Sequence, residues 1–594
     1  MRRRTQRVRR PPKANTPPDG TEMKKCPRLL VPILTVLLVC CVPSAYAGTP
    51  PDVIFRNAKI VTLDPARPTA GAVAVTGGRF TAVGSEAEVL ALAGPGVKIV
   101  DLGGKLVTPG FIDAHCHPME TIYLSENWVD CRYPGTPSVA KALENIAAWA
   151  ARTKKGEWIY VACVSATENK FAEKRLPTRA ELDKAAPDNP VVLANGAHQV
   201  VINSAAVRVL GITRGMRKMP HGATVVLDDA GEPTGVVLDS QADIPTNPSL
   251  EELTRAYATG IQELWNRYGF TSLMAITPAA ALPVLQKTAA AGKRPTIRYT
   301  VSVWTSSNSA DMPESLDAFA MPPGTDPDWY RFAAIKDWVD GENDARSGYM
   351  CEHYLGHDAN DAPGGRGTLV TDQVGLDRFA GIAAANGAIP MLHCSGDEAT
   401  AMGMAAYEKV LGSKNRPPLV RIEHFGMFQL KDAQLARAKA LKAQGLRIAV
   451  QPIWLLALVR ADFENMPQDL AASGFRFKSM IDAGLEPAAS TDMTGIYLGN
   501  ISPIKAMAAA VTRTSDMGEF QPEQAVSVED ALRMWTIWAA ASMGEAHVKG
   551  SIEVGKFADM TVLSGDIFTL PPERIKDTGV VATIVGGNVA YQAQ

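Results

Sequence analysis

The stretch "TPGFIDAHCHP" at residues 108–118 sets His115 and His117 one residue apart at the end of a short apolar run. In an extended strand the side chains at i and i+2 project to the same side, so the two imidazoles are neighbours and Cys116 points away. Two imidazoles aimed at one point suit a shared metal ion. The pair alone decides little: with 9 His in 594 residues, a His-x-His arises by chance in roughly one chain in seven of this composition. Partners have to be sought at the ends of other strands.

Outward from that stretch the chain alternates. Apolar, strand-like runs recur at 110–115, 271–276, 296–304, 331–339, 388–393, 419–424, 446–452 and 486–492, and helix-like segments such as 250–268, 372–386, 432–443 and 503–512 lie between most of them. Eight β/α alternations predict an α/β fold, a parallel (β/α)8 TIM-type barrel. The gap from about 125 to 245 is too long for a connection and reads as a subdomain inserted after the first barrel strand. Residues 48–107 and 545–594 share a different style of short strands and turns, which predicts one small β-sandwich domain built from both chain ends, with the barrel spanning 108–544.

In such barrels the chemistry sits at the C-terminal strand ends. The polar residues there are His115 and His117 on the first strand, Lys336 in the fourth, His393 on the fifth, His424 on the sixth and Asp492 on the eighth. One His closing an apolar run is ordinarily structural. Three separate strands ending that way point to one shared centre. Lys336, in "AAIKDWVDG", shares a strand face with Ala334 and Trp338, and an uncompensated ammonium inside a barrel is costly. A depressed pKa would leave a neutral amine able to take up CO2 and become a carbamate that bridges two metals; the alternative is an outer-face lysine paired with a carboxylate.

The N-terminus differs in kind. Residues 1–28 are basic and Pro-rich, followed by an apolar run from Leu29 to Val42 and the small-x-small Ala45-Tyr46-Ala47. That run is shorter than the ~20 residues a membrane span needs and fits a signal peptide, predicting cleavage after Ala47 and export to the periplasm or medium, with an uncleaved anchor as the alternative. Translation from Met1 or from Met23 is compatible with this. Loss of 1–47 leaves 50 basic and 60 acidic residues, a net charge of −10. No basic block remains to hold nucleic acid. Five scattered Cys remain after cleavage, an odd count with no C-x-x-C and so no disulfide framework.

These features resemble the amidohydrolase superfamily, and within it the amidohydrolase 3 group of N-substituted-formamide-deformylase-like metal-dependent hydrolases. The likeness runs from about 52 to the C-terminus and rests on "TPGFIDAHCHP", the stretches 176–207 and 231–239, "IKDWVDG", "HCSGDEA", "RIEHFG", "VQP", "STD" and "GSIEVGKFADMTVL". It implies that His115, His117, Lys336, His393, His424 and Asp492 are ligands to one or two divalent metals, zinc by default, with Lys336 carbamylated if the site is binuclear. Asp492 is then also the general acid/base, and His198, in the inserted segment, a contact to substrate or oxyanion. The implied reaction is hydrolysis of a non-peptide C–N bond in a small molecule. Rival readings are an esterase, lactonase or phosphoesterase with the same site, and a catalytically silent scaffold. Homo-oligomerisation is compatible with all of them. Four positions depart from the group's pattern: Glu342 after Asp340-Gly341, Cys394 and Glu398 within "HCSGDEA", and Trp454 after "QPI". They concern the substrate pocket and leave the ligand set intact.

Overall fold

The computed structural model describes residues 50–594 apart from 134, 164–169, 196–198, 221, 239, 241–242, 245–248, 306–311, 344–345, 357–364 and 494–500. The predicted signal peptide and His198 therefore lie outside the described residues. Among the described residues no helix is long and apolar enough to cross a membrane.

Eight parallel strands form the barrel: β1 (Phe111–Cys116), β2 (Phe270–Pro278), β3 (Arg298–Trp304), β4 (Tyr330–Trp338), β5 (Ile389–His393), β6 (Val420–Glu423), β7 (Leu446–Val450) and β8 (Ala488–Ala489). They pair in that order from β1 to β8, and all eight predicted runs are strands. Past β8 the chain closes the ring on β1, with Asp492 N–H donating to His115 O (2.9 Å) and His117 N–H to Met493 O (2.9 Å). Inside, Ile112, Ala114, Met274, Ile276, Ala334, Met391 and Ala488 pack as one apolar plug. Helices surround it; the segment Leu250–Arg267 opens on a Ser249–Glu252 capping box and carries one π-helical turn at Ala256–Gly260.

The chain ends build one continuous sheet. Val53–Val61 runs parallel to Lys98–Pro109, which pairs antiparallel with Met560–Leu563. The sheet curls until Phe80 exchanges hydrogen bonds with Gly555 and Lys556, so Val73 and Phe80 share a core with Met560 and Ile584. The strand Lys98–Pro109 leads straight into β1 through Gly110, where an added Cβ would stand 2.3 Å from the Thr271 side chain. Only a glycine fits that approach. Between β1 and β2 the chain forms a six-stranded mixed sheet, spanning Val129–Asp130 to Pro233–Leu238, with an apolar core of its own.

Two buried ion pairs hold the barrel floor. Arg298, at the start of β3, makes a two-pronged contact with Asp559 of the terminal sheet (2.7 and 2.9 Å). Lys549 Nζ bonds Glu545 (2.8 Å) and the Ser272 hydroxyl (2.6 Å), and Thr300 donates to the same carboxylate.

Candidate metal centre

The orientation of the opening histidine pair depends on an irregularity in β1. Leu273 pairs with Asp113 and Ala275 with Cys116, so β1 carries one residue more than β2 across this step. Strict alternation would send His115 outward with Asp113, whose carboxylate faces the helix layer and accepts from Trp265 Nε1 (3.0 Å) and the Thr491 hydroxyl (2.6 Å). The bulge re-aims the strand. His115 and His117 both turn towards the barrel mouth, with ring centres 5.5 Å apart.

A bulge strands backbone groups, and here Arg421 Nη2 donates to the Ala114 carbonyl (2.8 Å). The same guanidinium clamps Glu423 at 2.7 and 3.0 Å. Glu423 in turn accepts from His115 Nδ1 at 2.6 Å. Burial raises the Glu423 carboxyl, but Arg421, followed by His115, outweighs it and brings the carboxyl down to about 2. A carboxylate on Nδ1 fixes the tautomer, so His115 presents a bare Nε2. That atom is buried without a hydrogen-bond partner and lies 3.2 Å from Asp492 Oδ1.

His424 and Asp492 reach the same point by backbone conformation. Both have positive φ, +62° and +48°, a left-handed geometry that costs a non-glycine residue energy and clusters at functional sites. It lets His424 face the mouth although Glu423, its neighbour, also points inward. His424 Nδ1 is 3.0 Å from Gln451 Oε1, and Gln451 is set by its amide donating to the Ser490 hydroxyl. Ligand atoms of His115, His424 and Asp492 lie within 4.8 Å of one another, and His117 Nε2 is 3.6 Å from Asp492 Oδ1. Burial would raise the Asp492 carboxyl, but His115, His424 and His117 hold it well below the usual range.

Lys336 is fully buried, inside the barrel, in register with Trp304 and Met391. Its Nζ has no hydrogen-bond partner. The outer-face alternative is thereby removed. Burial lowers its pKa against the opposing pull of Glu423 and Asp492. His393 rests on β5 with its ring 4.5 Å from that of His424; its Nε2 lies 3.1 Å from Gly341 O and 3.0 Å from Ser395 Oγ, and its Nδ1 is buried and unpartnered. Asp340 ties the loops beneath it, accepting from the N–H groups of Tyr349, Ser395 and Gly396. Burial brings His424 down to about 3, and burial with His424 and Lys336 beside it takes His393 well below its usual range. Both rings are neutral at pH 7, the form that ligates.

Three indoles wall the centre. Trp338 stacks on His393 at 3.9 Å, Trp454 lies parallel to His424 at 5.3 Å, and Trp304 sits 6.3 Å from His117. The departure at Trp454 thus puts a ring against a site histidine.

The donor set meets the demand of a cation. His115 Nε2, His393 Nδ1 and Lys336 Nζ are buried nitrogen atoms without hydrogen-bond partners, the first of them 3.2 Å from the ionised Asp492. Left alone, such atoms each cost about 1–3 kcal/mol. Sequence reasoning missed Glu423, Arg421, Gln451 and Asp113. Glu423 had a signal, an ionisable group one residue before a strand-end histidine.

With polar strand ends gathered at the C-terminal rim of a parallel barrel, the chain belongs to the amidohydrolase family, whose sequence model matches residues 98–591. Its class is that of metal-dependent hydrolases. It is 28% identical over 560 residues, covering 91% of this chain and 98% of the relative, to N-substituted formamide deformylase of Arthrobacter pascens. It is also 25% identical to the putative amidohydrolase YtcJ of Bacillus subtilis, covering 84% and 91% of the two chains. In fold it is similar to an uncharacterized metal-dependent hydrolase from Pyrococcus horikoshii, with a TM-score of 0.67 at 23% identity over 88% of this chain and 99% of that one.

Proposed function

We propose that the chain hydrolyses the C–N bond of a small non-peptide amide, of the formamide type, using His115, His117, Lys336, His393, His424 and Asp492 to hold one or two divalent cations. The observation that carries this reading is that ligand atoms of His115, His424 and Asp492 lie within 4.8 Å of one another, with His393 Nδ1 and Lys336 Nζ buried and without hydrogen-bond partners. Similarity to the Arthrobacter pascens deformylase supports the choice of bond. A divalent cation at these donors, zinc by default for an imidazole-rich set, supplies polarisation of a carbonyl and lowers the pKa of water from 15.7 towards ~7.

The chain's own groups do the rest. Asp492, ionised and with 15% of its side chain exposed, takes the proton of the attacking water and returns it to the leaving nitrogen. Glu423 keeps His115 in one tautomer throughout. The Lys336 amine, whose burial favours the uncharged form, would take up CO2 once deprotonated, forming an N–C bond and releasing one proton, to give the anionic oxygen donor of a binuclear site. Trp304, Trp338 and Trp454 offer a flat apolar wall for the part of the substrate that does not react. His198 is proposed as a further contact to the oxyanion.

The test is a panel of N-formyl amines and matched formate esters, assayed after reconstitution with zinc, iron or manganese and referred to their spontaneous rates. Amide cleavage is expected. Ester cleavage with the amides untouched would move the reading to an esterase or lactonase, and turnover of neither, to a scaffold. We also propose export after removal of residues 1–47, checked by N-terminal sequencing of the protein recovered outside the cytoplasm.

A further inference from the structure

A second site stands at the opposite pole of the barrel. The first residues of β3 and β4, Arg298 and Tyr330, line a cleft of about 340 Å³ together with Gly78, Lys293, Arg294, Trp329 and Phe557. Along β4, Lys336 lies about 20 Å from this pole at ~3.3 Å per residue.

Two guanidinium groups meet there. A Cβ placed on Gly586 would stand 2.7 Å from Arg294 Nη2 and 3.5 Å from Arg298 Nη2, and one placed on Gly78 would stand 3.2 Å from Arg294 Nη2. The two turns are side-chain-free where the Arg294 head rests. Trp329 holds both cations on its ring, each 4.3 Å from the centroid. This fixes their position without cancelling their charge. Arg298 has its counter-ion in Asp559 (2.7 Å), and Asp328, also in the lining, is taken by Arg79 (2.7 Å). Arg294 and Lys293 make no ion pair or hydrogen bond among the described residues. Asp326, the remaining carboxylate of the lining, accepts from the backbone N–H of Asp328 (2.9 Å). Positive charge is left over in a cleft of ligand size.

We propose that this cleft binds a small organic anion through a carboxylate or phosphate group, with Arg294 as the main contact and Lys293 as the second. A planar guanidinium with both edges unpaired matches either oxyanion. The site is separate from the metal centre and does not depend on the reaction assigned to it.

The experiment is calorimetric titration of the protein with inorganic phosphate and, separately, with succinate, against sodium chloride at matched ionic strength. Saturable binding of one or both is expected, the stronger of the two telling which oxyanion the cleft prefers. Arg294→Ala should weaken it on the order of ten-fold or more with the melting temperature in chloride unchanged, and His115→Ala should leave it intact. Should Arg294→Ala melt early, the exposed Lys293→Ala carries the same comparison with a smaller loss. Binding no better than chloride, binding equal in Arg294→Ala and Lys293→Ala, or binding lost in His115→Ala instead, overturns the proposal.

Discussion

His115 Nδ1 and Glu423 Oε2 are 2.6 Å apart, both side chains wholly buried, although 308 positions separate them in the chain. Arg421 charges one end of this relay and the bare Nε2 of His115 is its other end. The contact turns a histidine on a bulged strand into a donor of fixed direction.

Glu423→Gln keeps the shape but removes the carboxylate that selects the tautomer. Metal affinity is expected to fall about 10–100-fold, the usual cost of losing such a support. Competition with a fluorescent chelator measures it; unchanged affinity would show that His115 needs no orienting partner.

Lys336→Ala should lower bound metal from about two equivalents to about one, because a binuclear site needs a bridging anion. Lys336→Glu supplies a carboxylate three bonds shorter than the carbamate and should restore the second equivalent only in part. If both variants bind as the parent does, Lys336 is not a ligand.

The wall residue Trp454 touches the far part of the substrate in this account and takes no part in proton transfer. Trp454→Ala should therefore raise KM about ten-fold for amides with bulky apolar substituents while changing kcat little, the signature of lost uniform binding. A fall in kcat with unchanged KM would instead mean that stacking on His424 positions the centre.

At the barrel floor, burial raises the Glu545 carboxyl but Lys549 and then Arg331 outweigh it, bringing the carboxyl down to about 2. A folded-state pKa below the unfolded one stabilises above the unfolded value and loses its effect as pH falls from there through about 2. Glu545→Gln, which strands the buried Lys549 cation, should cost on the order of 3–5 kcal/mol at pH 7. Thermal melts of parent and variant should converge as pH drops from 5 to 2. A gap independent of pH would mean that packing, not charge, holds the floor.

Much of this was legible in the sequence because barrel strands end in register. Apolar runs closing on His393, His424 and Asp492 mark the C-terminal rim even without knowledge of which strands pair. The same period of two could not show which way His115 faces, since a one-residue bulge in β1 reverses it. Nor could it show that Glu423 and His424 both point inward, because the turn at His424 depends on a positive φ. Lys336 was ambiguous for a different reason: an inner and an outer lysine look alike in a chain, and only the neighbours separate them, Ala334 two residues earlier lying in the barrel plug.

The most direct test of the central claim is the metal content of the protein expressed from Gly48, purified without chelator and measured by elemental mass spectrometry, with hydrolysis assayed before and after chelation. About one to two equivalents per chain are expected, with activity lost on chelation and recovered with added metal, and both absent in a His115→Ala/His117→Ala variant. A folded protein that binds no zinc, iron or manganese even after reconstitution would contradict that claim.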